Sequence, residues 1–149
     1  MEIAILALGC FWGPEINFSK LEGVESTEVG YCGGNHNQTN YEEVCSGNTN
    51  HAEVVKIKFD NSKISYENIL NYFFESHNPT TLNRQGPDIG TQYRSEIFFL
   101  DDEQKKVAEE IKSNINKKYN GKVITNISKQ KNYCKAEEYH QKYIQKKGL

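Results

Sequence analysis

Cys10 follows the apolar run Ile3 to Leu8 and precedes Phe11-Trp12-Gly13-Pro14. A proline has no N–H, so within a helix it fits only the first turn. A helix therefore starts near Phe11–Pro14, and Cys10 sits at a strand-to-helix turn at the rim of a sheet. Free N–H groups at a helix start stabilise an anion, so this position predicts a lowered thiol pKa and a nucleophilic thiolate. The plain alternative is a small buried core cysteine. Gly9 on one side and Phe11 and Trp12 on the other weigh against it, because two large aromatics beside an exposed turn need a pocket to line.

Glu53 is the second residue with chemical promise. In His51 to Asp60, Glu53, Val55, Ile57 and Phe59 fall on one face of a strand, while Lys56 and Lys58 fall on the other. A carboxylate on an apolar face loses hydration, which raises its pKa and keeps it protonated. A protonated carboxyl in a pocket is a candidate general acid. Alternatively, Glu53 lies just outside the covered part of its strand, and parity alone does not separate the two. Tyr41 stands beside a turn, and Gly86-Pro87-Asp88-Ile89-Gly90 leads into Thr91-Gln92-Tyr93-Arg94-Ser95, a stretch rich in hydrogen-bonding groups. Alone, such tyrosines are more often half-buried packing residues. His51, His77 and His140 could each act as a base or ligand, although an isolated histidine is more often structural. Cys32, within Gly30-Tyr31-Cys32-Gly33-Gly34, reads as part of a turn.

The elements that must position these residues follow from pattern. Ile3 to Leu8 is a strand covered on both faces. The first helix ends about Leu21, with Gly23 as its stop. Val24 to Tyr31 and His51 to Asp60 are strands, separated by a polar loop from Gly33 to Asn40. Ser65 caps a helix whose apolar stripe is Tyr66, Ile69, Leu70, Phe73 and Phe74. A loop spans Asn78 to Gln92, and Tyr93 to Leu100 is a strand. Asp101 and Gln104 resemble a capping box for a helix that turns Val107, Ala108, Ile111, Ile115 and Tyr119 inward. Lys122 to Ile127 is the last strand and Ala136 to Lys146 the last helix. This order predicts an α/β (α+β) two-layer sandwich, with helices on a mixed sheet built as a split β-α-β arrangement.

A chain of 149 residues, 36% of them hydrophobic, is enough for one core, so a single catalytic domain over 1–149 is expected. A net charge of -2 argues against a general affinity for nucleic acid. The basic pairs Lys117–Lys118 and Lys146–Lys147 read as solvated helix faces. No apolar run approaches the roughly 18 residues that span a membrane. The N-terminal segment lacks the basic and cleavage features of a signal peptide, which places the protein in the cytoplasm. The four cysteines form no C-x-x-C pair, so neither a zinc site nor a disulfide scaffold is expected.

Together these segments resemble the A-type peptide methionine sulfoxide reductases. The match runs through Gly9-Cys10-Phe11-Trp12-Gly13, Gly30-Tyr31-x-Gly33-Gly34, Tyr41-x-Glu43-Val44-Cys45-Ser46-Gly47 and His51-Ala52-Glu53. It continues through His77-x-Pro79-Thr80, Arg84-Gln85-Gly86-x-Asp88-x-Gly90-Thr91-Gln92-Tyr93-Arg94-Ser95 and Ala136-Glu137-x-Tyr139-His140-Gln141. These blocks stand in the family's order and cover nearly the whole chain. The resemblance implies a ferredoxin-like core, with Cys10 as nucleophile and Glu53 as proton donor. It implies that Tyr41 and Tyr93 hydrogen-bond the sulfoxide oxygen, that Asp88 supports them, and that Phe11 and Trp12 hold the substrate's methyl group. It also implies action on the S epimer of methionine sulfoxide, free or in peptides, with a sulfenic acid on Cys10 and recycling by a thiol reductant such as thioredoxin. No metal, flavin or nicotinamide is expected.

Two features depart from the family. Tyr133-Cys134-Lys135 replaces an aromatic pair, and the chain ends at Gly148-Leu149 without the cysteine-bearing tail of many members. The thiol that resolves the sulfenic acid is therefore expected from Cys134 first and Cys32 second. Cys45 comes last, because the resemblance implies a cysteine at that place even in members whose tail does the resolving, and a buried packing thiol is its stronger reading; an external thiol is the remaining route. Rival readings are a thiol peroxidase or redox sensor, and a non-catalytic module that binds oxidised methionine. The Phe11-Trp12 pair argues against the first; Cys10 and Glu53 together argue against the second.

Overall fold

The computed structural model describes residues 1–148. In chain order the elements are β1 (Glu2–Leu8), α1 (Trp12–Ser19), β2 (Val24–Cys32), α2 (Tyr41–Cys45) and β3 (Ala52–Phe59). Next come α3 (Tyr66–Glu75), a small hairpin of β4 (Arg84–Gln85) and β5 (Asp88–Ile89), a 3-10 turn Thr91–Tyr93, and β6 (Ser95–Phe99). The chain continues through α4 (Asp102–Lys118), β7 (Asn126–Lys129), β8 (Cys134–Lys135), a 3-10 turn Glu138–His140, and α5 (Tyr143–Lys147).

The main sheet runs β7-β6-β1-β3-β2-β8. Its four central strands are mutually antiparallel, and α1 and α3 make the two crossovers, which is the ferredoxin-like split β-α-β core. β7 adds in parallel beside β6, making the sheet mixed. Ala4, Leu6, Val29, Val55, Ile57 and Phe59 face the helices, where Phe18, Ile69, Leu70, Phe73, Ala108 and Ile111 close the core. Ile5, Ala7, Cys32, Ala52, Val54 and Phe98 form a smaller cluster on the opposite face. Burial on both faces explains why β1 reads as an unbroken apolar run.

Antiparallel pairing brings distant segments to one end of the sheet. β1 leaves at Leu8, opposite Ser95 at the start of β6. β3 starts beside that point, and β2 ends there with Tyr31 opposite Glu53. The turn before β6, the segment before β3 and the turn after β1 therefore converge.

The helix caps follow the sequence. Ser65 accepts from the Asn68 N–H at 3.0 Å, and Asp101 accepts from the Gln104 N–H at 2.8 Å. Instead of returning to its own cap, the Gln104 side chain bridges the Leu100 N–H and the Ile3 carbonyl.

Four expectations are corrected. Cys32 is the last residue of β2 and not part of a turn, and it is fully buried. Tyr93 lies in the 3-10 turn ahead of β6, because Arg94 donates to the Thr91 carbonyl and holds the turn closed. β7 starts at Asn126, since the preceding backbone bonds elsewhere: Val123 to the Asn116 side chain and Ile124 to the Pro79 carbonyl. The helix expected over Ala136 to Lys146 is broken into a 3-10 turn and α5. Gln141 reaches sideways to β2, and Lys142 takes a left-handed conformation at φ 53°.

A buried polar chain ties α3 to the sheet. The His77 Nδ1 lies 2.7 Å from the Phe73 carbonyl and so donates to it; its Nε2 accepts from the Ser95 hydroxyl at 2.7 Å. Ser95 in turn meets the Thr125 hydroxyl at 2.7 Å. Burial pushes His77 down to about 4, so the ring is neutral at physiological pH.

Candidate active site

Gly9 makes the turn that delivers Cys10. Its φ is +99°, and a Cβ there would lie 2.9 Å from the Gln85 side chain. Only glycine combines that conformation with that close approach. Cys10 is half-buried, at the foot of α1. Glu53 is 1% exposed and accepts the Phe11 N–H at 3.2 Å through Oε1. Its Oε2 is buried with no partner. Burial pushes Glu53 up to about 8, against the stabilising Phe11 N–H and with a further push from Asp88. At neutral pH the carboxyl is mostly protonated, and its burial decides between the two readings that strand parity left open.

The expectation for Cys10 is overturned. Burial pushes its thiol up to about 11, and the charges of Glu53 and Asp88 add to the rise. The Trp12 N–H at the start of α1 works in the other direction but does not win. The helix start is real; loss of hydration and two nearby carboxylates outweigh it.

Tyr41 and Tyr93 are both half-buried. Burial raises Tyr93 to about 12, with Glu53, Cys45, Asp88 and Cys10 each adding to the shift. Tyr41 is raised by burial and by a side-chain interaction with Cys45, with smaller effects from Tyr93 and Glu53. Both phenols keep their protons and can donate. Asp88, in β5, acts on Cys10, Glu53 and Tyr93 alike, which sets it at the rim of the same site. Phe11 is buried, packed 5.8 Å from Tyr31 and 5.2 Å from His140 between ring centroids. Trp12 is half-exposed, so it carries the accessible aromatic surface of the pair.

A protonated acid, two phenol donors and a cysteine thus surround one spot beside an aromatic wall. The family profile described as "Peptide methionine sulfoxide reductase" matches residues 2–148. The peptide methionine sulfoxide reductase MsrA of Pelagibacter ubique is 66% identical over 99% of this chain and all of its own length. The chain belongs to the peptide methionine sulfoxide reductase family. Among solved structures, the reduced form of Mxr1 from Saccharomyces cerevisiae superposes with a TM-score of 0.95, at 37% identity, over 99% of this chain and 86% of that one. Mxr1 in complex with Trx2 superposes with a TM-score of 0.68, at 26% identity, over 95% of this chain and 84% of that one.

In this peptide methionine sulfoxide reductase several supporting residues escape a sequence reading. The Trp12 indole N–H donates to His140 Nδ1 at 3.0 Å, and Tyr143 stacks on Trp12 with centroids 3.8 Å apart. Glu137 accepts from both the Tyr31 hydroxyl and the Tyr41 N–H at 2.8 Å, which fixes the start of α2. Arg94 pairs with Glu96 at 2.7 Å and donates to the Asn50 carbonyl, joining the Tyr93 turn to the approach of β3. For Trp12, Tyr31, Arg94, Glu137 and His140 the available signal was their position inside the family blocks; Tyr143, Glu96 and Asn50 lie outside them. Of the other cysteines, Cys134 is half-buried in β8, and Cys45 is exposed at the end of α2, where a packing thiol was expected.

Proposed function

We propose that residues 1–149 form one catalytic domain that reduces the S epimer of methionine sulfoxide, free or in peptides and proteins, at Cys10. The observation that carries this reading is the Glu53 carboxyl: buried, protonated, held by the Phe11 N–H and left with one oxygen unpartnered beside Cys10.

A sulfoxide oxygen leaves poorly until it is protonated or strongly hydrogen-bonded. Glu53 supplies the proton, and the Tyr41 and Tyr93 hydroxyls share the developing charge. Asp88 supports their arrangement. Trp12, backed by Phe11, takes the substrate's methyl group against an apolar face. As the oxygen gains a proton, the substrate sulfur becomes electron-poor, which favours the Cys10 anion in a site of low polarity. The Cys10 sulfur attacks the substrate sulfur; the hydroxyl then passes to the Cys10 sulfur as the substrate's S–O bond and the transient bond between the two sulfurs break, and the thioether leaves. The two electrons come from Cys10, which ends as a sulfenic acid bearing the transferred oxygen.

A dithiol of the thioredoxin class then restores Cys10, a role supported by the yeast relative's complex with Trx2. No helix among the described residues is long and apolar enough to cross a membrane. We place the protein in the cytoplasm, a reading supported by four unpaired cysteines, which suit a reducing compartment.

Incubation with dithiothreitol and each epimer of methionine sulfoxide tests the reading. Methionine should form from the S epimer, and Cys10→Ser should form none. Substantial product from that variant would remove Cys10 from the role.

A further inference from the structure

The three remaining cysteines stand very differently toward Cys10. Cys32 lies opposite Ala52 in the β2–β3 pair and belongs to the cluster on the far face of the sheet. It is 0% exposed, and its thiol donates to the Lys131 carbonyl. Glu53, next to Ala52, points to the face that carries the site, so Cys32 points away from it. To reach Cys10, β2 would have to turn over.

Cys134 sits on β8, opposite Tyr31, which is itself opposite Glu53. Two strand spacings therefore separate its backbone from that of Glu53, roughly 10 Å. The Tyr31 side chain stands between them, and its hydroxyl is anchored on Glu137.

Cys45 differs on each count. It lies one helical turn after Tyr41 on α2, hence on the same helix face. The Tyr41 ring lies 4.6 Å from His140 between centroids, and His140 lies 5.2 Å from Phe11, the residue after Cys10; in keeping with this, a charge on Cys45 would raise the proton affinities of Cys10, Tyr93 and Tyr41. The thiol is exposed. α2 is only five residues long, and Gly47 just beyond it, at φ +81°, has open space around it.

We propose that Cys45, carried on the α2 face that presents Tyr41, is the thiol that resolves the Cys10 sulfenic acid. The proposal rests on the reduction reading above. Once the thioether has left, the Cys45 sulfur attacks the Cys10 sulfur. An S–S bond forms, the Cys10 S–O bond breaks, and the oxygen departs as water carrying the sulfenic hydrogen and the Cys45 thiol proton. Cys45 is oxidised in the step. The dithiol of thioredoxin then exchanges into the disulfide and returns both cysteines to thiols. The exposure of Cys45 makes its sulfur the one that thioredoxin can attack. Tyr41 thus serves twice, donating to the substrate oxygen and then holding the incoming thiol.

The test uses the full chain and one equivalent of methionine S-sulfoxide without reductant, followed by methionine quantification and peptide mapping under non-reducing conditions. One methionine per chain together with a Cys10–Cys45 disulfide is the expected result. Methionine with a Cys10–Cys134 or Cys10–Cys32 bond, or with a lasting sulfenic acid and no bond, would overturn the proposal. Absence of methionine would overturn the reduction reading itself. In Cys45→Ser, the Cys10 sulfenic acid should accumulate and be trapped by a dione reagent, and turnover with thioredoxin should be lost. Dithiothreitol should restore turnover by attacking the sulfenic acid directly. Cys134→Ser should match wild type with both reductants. Undiminished thioredoxin turnover in Cys45→Ser would refute the assignment.

Discussion

At the scale of single residues, burial moves both proton affinities of the site upward. Glu53 rises to about 8 and Cys10 to about 11, and each is an anionic neighbour of the other once ionised. They titrate as a pair. The reactive arrangement has one proton fewer than the full pair, with the remaining proton on Glu53 and the charge on Cys10. The kcat/KM for single-turnover reduction should therefore rise with pH towards about 8, where the pair sheds its first proton, and fall beyond about 11. Glu53→Gln removes the transferable proton and should slow reduction by roughly 10²–10⁴. The limb near 8 should vanish with it. Rapid-quench measurement of methionine across pH checks both effects, and a wild-type profile that is flat through 8 would assign the acid elsewhere. The placement of Cys10 and the face that carries Glu53 were legible in the sequence, because a proline marks a helix start and parity marks a face. The direction of the Cys10 shift was not. It depends on depth of burial and on Glu53 and Asp88, residues that only strand pairing and the β4–β5 hairpin bring near.

At the scale of elements, strong periodicity was legible and short or bent segments were not. α3 follows from its apolar stripe and cap, and α4 from its cap and the stripe Val107 to Ile115; Tyr119, expected inward, is instead exposed where the helix ends. α2 has five residues, too few to show a period, and is fixed instead by Asn40 at one end and Glu137 across the site. The C-terminal segment has helical composition, yet side-chain bonds to α1 and β2 pull it into two pieces. His77, read as isolated, is the link between α3, β6 and the segment ahead of β7. Its folded-state pKa of about 4 lies below its ordinary 6.5, so the unfolded chain binds the extra proton first as pH falls. The stability it confers is present above about 6.5 and is lost progressively towards about 4. Urea unfolding at several pH values should show this acid-side loss, on the order of a few kcal/mol. His77→Gln should lower stability at neutral pH by about 1–3 kcal/mol through broken buried hydrogen bonds. It should also flatten the dependence between those two pH values; an equal slope in the variant would assign the acid sensitivity to other groups.

At the scale of the whole molecule, the site exists because segments from residue 10 to residue 143 meet at one end of the sheet. The parts of this assembly with local signatures were legible; the cross-chain ties were not, because each depends on tertiary placement. Glu15 on α1 accepts from the Lys142 N–H at 2.6 Å and from the Thr27 hydroxyl at 3.0 Å, pinning the last segment to the first crossover. Gln141 imitates a strand, accepting the Val29 N–H at 2.9 Å and donating to the carbonyls of Val29 and Ala136. Its neighbour His140 holds Trp12, so one backbone stretch carries both a sheet tie and a wall of the site. Gln141→Ala strands the fully buried Val29 N–H and should cost about 1–3 kcal/mol. If the C-terminal segment is part of the cooperative unit, far-ultraviolet circular dichroism and methionine sulfoxide reduction should lose signal together along a urea series. In the variant both curves should move to a lower midpoint with an unchanged slope. If the segment instead detaches on its own, activity should fall at lower urea than the dichroism signal, with the gap widening in Gln141→Ala. Coincidence is the expected outcome, because Glu15, Gln141 and the Trp12–His140 bond attach the segment at separate points, and loosening one leaves the others in place.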